Sequence, residues 1–300
     1  MKKFSFFAGM ILLAASCSND RVESVDNVQV ENVVAPVTVC VSGFSITQEG
    51  FSGTRNAMVD TCKKVKALTV AFYKVDDGSE VYKNTQFRDN LPEGETFGAF
   101  TTTLSAGNYT VVVLGYGQGQ SNQAITMTSA TAATYGEGTV YDTFAATQEV
   151  SITNSDAKNL TATLQRIVTA LAVQSTDLKP EGVTHMRLTY YGGGKSFNPT
   201  TGLATSNDGF VSLAGLPTAG NTTYTGNYFF LASDEQTINV KIETMDGADG
   251  NVLYSKTVEN VPLKRNRQTT LRGAVYTNAR VSGSSFEINE SWLDAHVMSF

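Results

Sequence analysis

Apolar and polar positions alternate with a period of two along most of the chain, the pattern of strands with one buried face. Val37, Val39 and Val41 alternate with Thr38, Cys40 and Ser42, and Leu68, Val70 and Phe72 with Thr69, Ala71 and Tyr73. Asp76-Asp77-Gly78 ahead of Val81-Tyr82 is a tight-turn signal and predicts a hairpin. Further strands are predicted over 97–104, 109–116 and 149–153, and the run Val111-Val112-Val113-Leu114 reads as a central strand buried on both faces. Between 117 and 146 the chain turns to Gln, Gly, Ser, Thr and Ala, which fits either a long exposed loop or weak edge structure.

Turn chemistry at Asn154-Ser155-Asp156 separates this series from a second one and predicts a domain boundary there. The apolar stretch 159–175 that follows has a helix as competitor, since Leu160, Leu164, Val168 and Leu171 also suit a spacing of four and three. Its threonine, valine and isoleucine content favours a strand. Strands continue over 183–191, 228–231, 237–244, 252–258, 268–276 and 285–289. In 237–244 Ile238, Val240 and Ile242 point one way, while Asn239, Lys241 and Glu243 point the other. Gly-Asn-Tyr recurs at 107–109 and 226–228, a hint of two similar folding units. The expected organisation is all-β: a leader over 1–16, a tether over 17–35, and two β-sandwich domains over 36–155 and 156–300.

Composition sharpens the N-terminal part of this picture. Lys2 and Lys3 precede an apolar run over 4–15, too short for a bilayer core that needs about 20 residues, so it reads as an export signal. It ends in Ala14-Ala15-Ser16-Cys17, small residues directly before a cysteine, which resembles the lipobox of a bacterial lipoprotein with Cys17 as the acylated residue. Ordinary signal-peptidase cleavage is the competing reading. Residues 18–35 are polar and acidic and carry no aromatic side chain, as a flexible tether would. Net charge is −6 at pH 7, a balance unsuited to neutralising phosphates, so nucleic acid is not an expected partner.

Candidate chemistry is sparse. His185 and His296 have no companion ligand at metal-binding spacing, so no metal and no cofactor are expected. Asp246-Gly247-Ala248-Asp249-Gly250 lacks the ligand series of a calcium loop and reads as a hairpin turn. Gly192-Gly193-Gly194-Lys195-Ser196 lacks the first glycine of a phosphate loop, since Thr189 stands there, and reads as a flexible turn. No Gly-x-Ser-x-Gly elbow occurs. With no catalytic constellation, an enzyme is not expected. With Cys17 assigned to lipid, Cys40 and Cys62 remain, and in an exported chain they are either a disulfide or two buried thiols. A bridge closing about 22 residues would contribute on the order of 3 kcal/mol.

The chain resembles the fimbrillin-type subunits of Bacteroidales type V pili, in the branch of lipoprotein anchors and minor subunits. The resemblance is carried by Leu13 and Cys17 of the lipobox, the strand over 37–44, Thr54-Arg55, Cys62 ahead of the strand over 68–74, and Ala106-Gly107-Asn108-Tyr109 with the valines after it. Leu164-Gln165-Arg166-Ile167, the segment 261–273 and the closing 286–292 with Trp292 complete it. It implies two transthyretin-like (immunoglobulin-like) sandwich domains and assembly with other pilin subunits by strand exchange. An arginine-specific protease would remove the first strand by cutting after Arg55. It further implies an outer-membrane, cell-surface location held through lipid such as palmitate, and a role in fimbrial adhesion to an unspecified surface ligand. The short tail over 290–300, after the last predicted strand, departs from the major-pilin pattern and argues against a role as strand donor. The alternative is a surface glycan-binding lipoprotein of a polysaccharide-utilisation system, with Tyr190, Tyr191, Tyr224 and Tyr228 as stacking candidates.

Overall fold

The computed structural model describes residues 33–46, 55–58, 65–117, 125–136, 138–277 and 286–292. Among them are twenty strands, one 3-10 turn at Arg88–Asn90 and no α-helix, the outcome expected of a chain rich in residues that fit a pleated surface. Cys17, Cys62 and His296, together with the leader, the tether and the C-terminal tail, lie outside the described residues.

The first ten strands are β1 (Val34–Ile46), β2 (Arg55–Met58), β3 (Ala67–Lys74), β4 (Glu80–Phe87), β5 (Ala99–Ser105), β6 (Gly107–Tyr116), β7 (Thr126–Ser129), β8 (Ala132–Thr134), β9 (Thr143–Ile152) and β10 (Lys158–Arg166). One sheet runs in the order β2-β1-β10-β9-β6-β3-β4, with β5 also paired to β1. β9 and β10 pair only at Ala145–Gln165 and Phe144–Arg166. The sheet turns at that corner, and the layers β4-β3-β6-β9 and β10-β1-β5 close on a common core holding Val37, Val39, Phe72, Val111, Phe144 and Leu164. β3 and β4 form the expected hairpin, whose turn is fixed by Asp77 Oδ1 accepting the Ser79 N–H at 2.8 Å.

The remaining strands are β11 (Thr169–Ser175), β12 (His185–Tyr191), β13 (Ser196–Asn198), β14 (Leu203–Ala204), β15 (Phe210–Gly215), β16 (Tyr224–Phe229), β17 (Glu235–Met245), β18 (Val252–Lys264), β19 (Arg267–Gly273) and β20 (Glu287–Trp292). They build two sheets, β15-β12-β17-β18 and β16-β11-β19-β20. Leu171, Leu188, Phe229, Val240, Ile242 and Leu271 fill the space between them. The order β15-β12-β17-β18 repeats β4-β3-β6-β9, and β16-β11-β19 repeats β5-β1-β10. Even the parallel pairs correspond, β1 with β10 and β11 with β19. β20 is an addition without a counterpart among the described residues of the first half. The Gly-Asn-Tyr echo, by contrast, opens β6 in one half and falls inside β16 in the other, strands that are not equivalent.

Two features differ from the sequence reading. The turn at Asn154-Ser155-Asp156 joins β9 to β10 inside one sheet, and the expected strand over 159–175 is two strands, β10 and β11, divided at Ile167-Val168. The chain therefore changes sheets at Ile167-Val168, where both side chains are buried in a third core shared by the two halves, with Tyr73, Leu114, Phe197 and Phe230. Residues 125–136, read as loop or weak edge, supply β7 and β8, and β8 pairs with β13 across the halves.

Arg166 and Asp142 lock this junction. Arg166 Nε and Nη2 donate to Asp142 Oδ1 and Oδ2 at 2.7 and 2.8 Å, with side chains 1 and 4 % exposed. Arg166 Nη1 donates to Asn266 Oδ1 at 3.0 Å, and the Asn266 N–H donates to the Val168 carbonyl at 2.8 Å. The β18–β19 turn of the second half is thereby tied to the last strand of the first.

Candidate functional site

The first described strand is the feature with the most unusual setting. Ala35, Val37, Val39 and Val41 of β1 are buried, while Val34, Pro36, Cys40 and Ser42 point outward, as the alternating sequence predicts. Along one side β1 pairs in parallel with β10, from Val37–Lys158 to Ser45–Gln165. Along the other it pairs antiparallel with β5, from Val34–Ser105 to Cys40–Ala99, and then with β2, from Gly43–Met58 to Ile46–Arg55. A bulge at Ser42 inserts one residue between Val41–Ala162 and Gly43–Thr163, so that Phe44 returns to the interior opposite Leu164. There Phe44 meets the Phe144 ring edge-on at 5.0 Å. Ser42 Oγ donates to the Ala162 carbonyl at 3.2 Å.

β1 is thus a strand seated between two others, and its apolar side chains are worth roughly 1.5 to 3 kcal/mol apiece on burial. Its withdrawal would leave a hydrophobic channel between β10 and β5, with a line of unpaired backbone groups on each wall. Of the predicted site residues, Cys40 is a free thiol exposed on β1, in register between Ala99 and Thr161, and so is not the buried thiol that was one of the two expectations. Arg55 is the first residue of β2, an edge strand, and its backbone pairs with Ile46. The sequence placed it in a glycine-rich stretch between strands; that stretch, like Cys17 and Cys62, lies outside the described residues.

The other sequence candidates have structural roles. Gly193 stands at φ +69, and a Cβ there would lie 2.7 Å from the Phe229 ring and 2.9 Å from the Phe230 carbonyl, so the glycine run is a close crossing over β16 and not a flexible turn. The loop 246–251 is the β17–β18 hairpin turn, with Asp246 Oδ1 accepting the Asn251 N–H at 2.6 Å. His185 shares a 2.8 Å hydrogen bond with Thr184 Oγ1. Among the described residues no group of three or more His, Cys, Asp or Glu could hold a metal ion. Two of the four tyrosines proposed for stacking are buried, Tyr190 at 1 % and Tyr228 at 6 % exposure. Tyr191 and Tyr224 are exposed but stand on different sheets. Burial holds the Tyr116, Tyr135 and Tyr228 hydroxyls above the ordinary tyrosine range, so these groups stay protonated at neutral pH and serve the junction as packing and hydrogen-bonding groups. The sequence reading missed β15, whose Phe-Val-Ser-Leu-Ala-Gly composition gives no clean alternation. It is an edge strand with Val211 and Leu213 on the solvent face.

Among the described residues no helix is long and apolar enough to cross a membrane. Residues 44–296 match the model of a family described as a family of unknown function (DUF6562), and the chain belongs to that family. No curated protein matches the sequence. Among solved structures the chain is similar to the fimbrial anchor protein Mfa2 from Porphyromonas gingivalis, at 13 % identity and a TM-score of 0.47, over 86 % of this chain and 98 % of that one. It is also similar to an adhesin candidate from Bacteroides ovatus, at 14 % identity and a TM-score of 0.49, over 82 % of this chain and 88 % of that one. An adhesin candidate from Bacteroides thetaiotaomicron gives 10 % identity and a TM-score of 0.49, over 88 % and 99 %.

Proposed function

We propose that this protein is a fimbrial subunit of the anchoring or minor kind, with two transthyretin-like sandwiches, held at the outer-membrane surface by lipid on Cys17. It assembles with other subunits by strand complementation. The observation that carries this reading is the seat of β1: the first strand of the described chain is also an inner strand of its sheet, bonded on both sides and supplying Val37, Val39, Val41 and Phe44 to the core. A first strand so placed is one that a single cut in the following segment can free. An extended segment of a neighbouring subunit can then replace it, satisfying the same backbone groups and filling the same pockets. Cleavage after Arg55 separates all of β1 from β3 onward and leaves only three residues of β2. A Cys40–Cys62 disulfide would hold the cut strand in its seat and keep the subunit attached, which suits an anchor.

The test is digestion of the purified lipoprotein with an arginine-specific protease, with and without reductant. The expected result is a cut after Arg55, a fragment holding β1 that separates only under reduction, and a ladder of higher species once it has left. A protein whose β1 fragment departs and that stays monomeric and fully soluble refutes complementation. Release without reductant refutes only the bridge.

A further inference from the structure

The seat of β1 is not uniform along its length. Val39 stands in register between Leu160 and Phe100, two large side chains turned to the same core, and a branched side chain fills the place between them. At the far end the seat is hollowed out. Across the core from Phe44, the residues Leu68, Gly115 and Phe144 form one row over β3, β6 and β9. Gly115 is buried, and its backbone lies outside the left-handed region, so no turn calls for glycine there. The Phe44 ring takes the room a side chain would need. A Cβ on Gly115 would lie 3.0 Å from Phe44 Cε1, 3.1 Å from Leu164 Cδ2 and 3.2 Å from Leu68 Cδ2. Glycine inside a strand weakens it, and close approach by another group is what such a glycine permits. The wall of the pocket is held firmly, since the Arg166 guanidinium that is paired with Asp142 lies 4.9 Å from the Phe144 ring centre. Leu68, Gly115, Phe144 and Leu164 all follow Arg55 in the chain, so the pocket stays with the body of the protein when β1 leaves.

We propose that this pocket over Gly115 selects the strand that takes the place of β1. Its occupant is an extended segment of another subunit with branched aliphatic residues at three alternate positions, those of Val37, Val39 and Val41, followed by a phenyl ring at that of Phe44. The extra residue of the Ser42 bulge is dispensable, because the ring is placed by its partner Leu164 and not by the residue count. Direction follows from order. The large position comes last along β1, so the incoming segment runs parallel to β10 and antiparallel to β5, as β1 does. A segment running the other way would set its ring between Lys158 and Thr102, at the place of Val37, and leave the hollow over Gly115 empty. The inference rests on the reading that β1 is exchanged, and adds to it the chemistry and direction of the partner strand.

The test cuts the full-length chain in detergent with an arginine-specific protease under reductant, in the presence of labelled synthetic peptides. Capture is read by co-elution in gel filtration, and relative affinity by competition. The parent peptide carries the sequence of residues 35–46 with Cys40→Ser. It is expected to be captured, and its Phe44→Ala form to bind about a hundredfold more weakly. A peptide of the same composition with the order exchanged, Val37→Phe with Phe44→Val, is expected to be weakened as much. Melting of the uncut chain gives a readout that needs no cleavage. Phe44→Leu is expected to lower the Tm of the wild-type chain but to raise that of the Gly115→Ala chain, whose new methyl group crowds the ring. Failure of the parent peptide to bind refutes strand exchange, and this inference with it. Capture of the parent alongside equal capture of the Phe44→Ala or order-exchanged peptide overturns the inference alone, as does a Phe44→Leu change that lowers the Tm of both chains alike.

Discussion

At the scale of single residues the energetics concentrate where charge is buried. Asp142 and Arg166 satisfy each other with two parallel hydrogen bonds in a nearly dry site. Removing one partner strands the other, a loss of about 3 to 5 kcal/mol, whereas replacing both by apolar residues of similar size is close to neutral. Urea denaturation is therefore expected to show strong destabilisation for Asp142→Leu and for Arg166→Met, with much of it recovered in the double variant. Glu243 adds a pH-dependent contribution to stability. Burial pushes its carboxyl up, but hydrogen bonds from Arg187 and Lys241, at 2.9 and 2.7 Å, outweigh that and hold it below the usual glutamate range. A carboxyl whose folded value lies below its unfolded one adds stability above the unfolded value and loses it as pH falls through the folded one. The Glu243→Gln protein is expected to be about 1 to 2 kcal/mol less stable at neutral pH. Its denaturation midpoint should also fall less steeply than the wild type's on acidification below about pH 4.5.

At the scale of the element, phase matters more than composition. Ser42 is the extra residue of a bulge, so deleting it joins Val41 to Gly43 and leaves Val37, Val39, Val41 and Phe44 facing the core. Deleting Thr38 instead turns one end of β1 inside out. Thermal melts are expected to show a small loss for the first deletion, about 1 kcal/mol for the missing Ser42 contacts, and failure of the first half to fold for the second. Period-two alternation is why β1 and β17 were legible in the sequence; β3 was also expected with one buried face, but it lies inside the sheet between β4 and β6 and both its faces are buried. β15 was not legible, because apolar residues stand on its exposed face as well as its half-buried one, so its burial alternates where its sequence does not. Nor was the break at Ile167-Val168, because an apolar run buried in two successive cores reads as one strand. Cys40 and Arg55 could be nominated from residue type and spacing, but their strand partners depend on contacts of 59 to 121 positions in sequence or on hairpin register, which no local pattern encodes.

At the scale of the whole molecule, the two halves share one strand order and are held together by a common core, the β8–β13 pair and the Arg166 clamp. The parallel pairing of β1 with β10 has a mechanical consequence. The chain enters β1 from the N-terminal side and leaves β10 at its C-terminal end, so tension along the chain drags the two strands past each other. Every rung from Val37–Lys158 to Ser45–Gln165 is then loaded at once. Force applied at Ile46 and Ile167 would open the same ladder one rung at a time, like a zip. In single-molecule pulling the chain held at Val33 and Ile167 is expected to resist markedly higher force than the chain held at Ile46 and Ile167, because forced unfolding follows the unfolding barrier along the loaded direction. Since β11 and β19 repeat the arrangement, a tether pulled from one end meets two shear-loaded clasps in series.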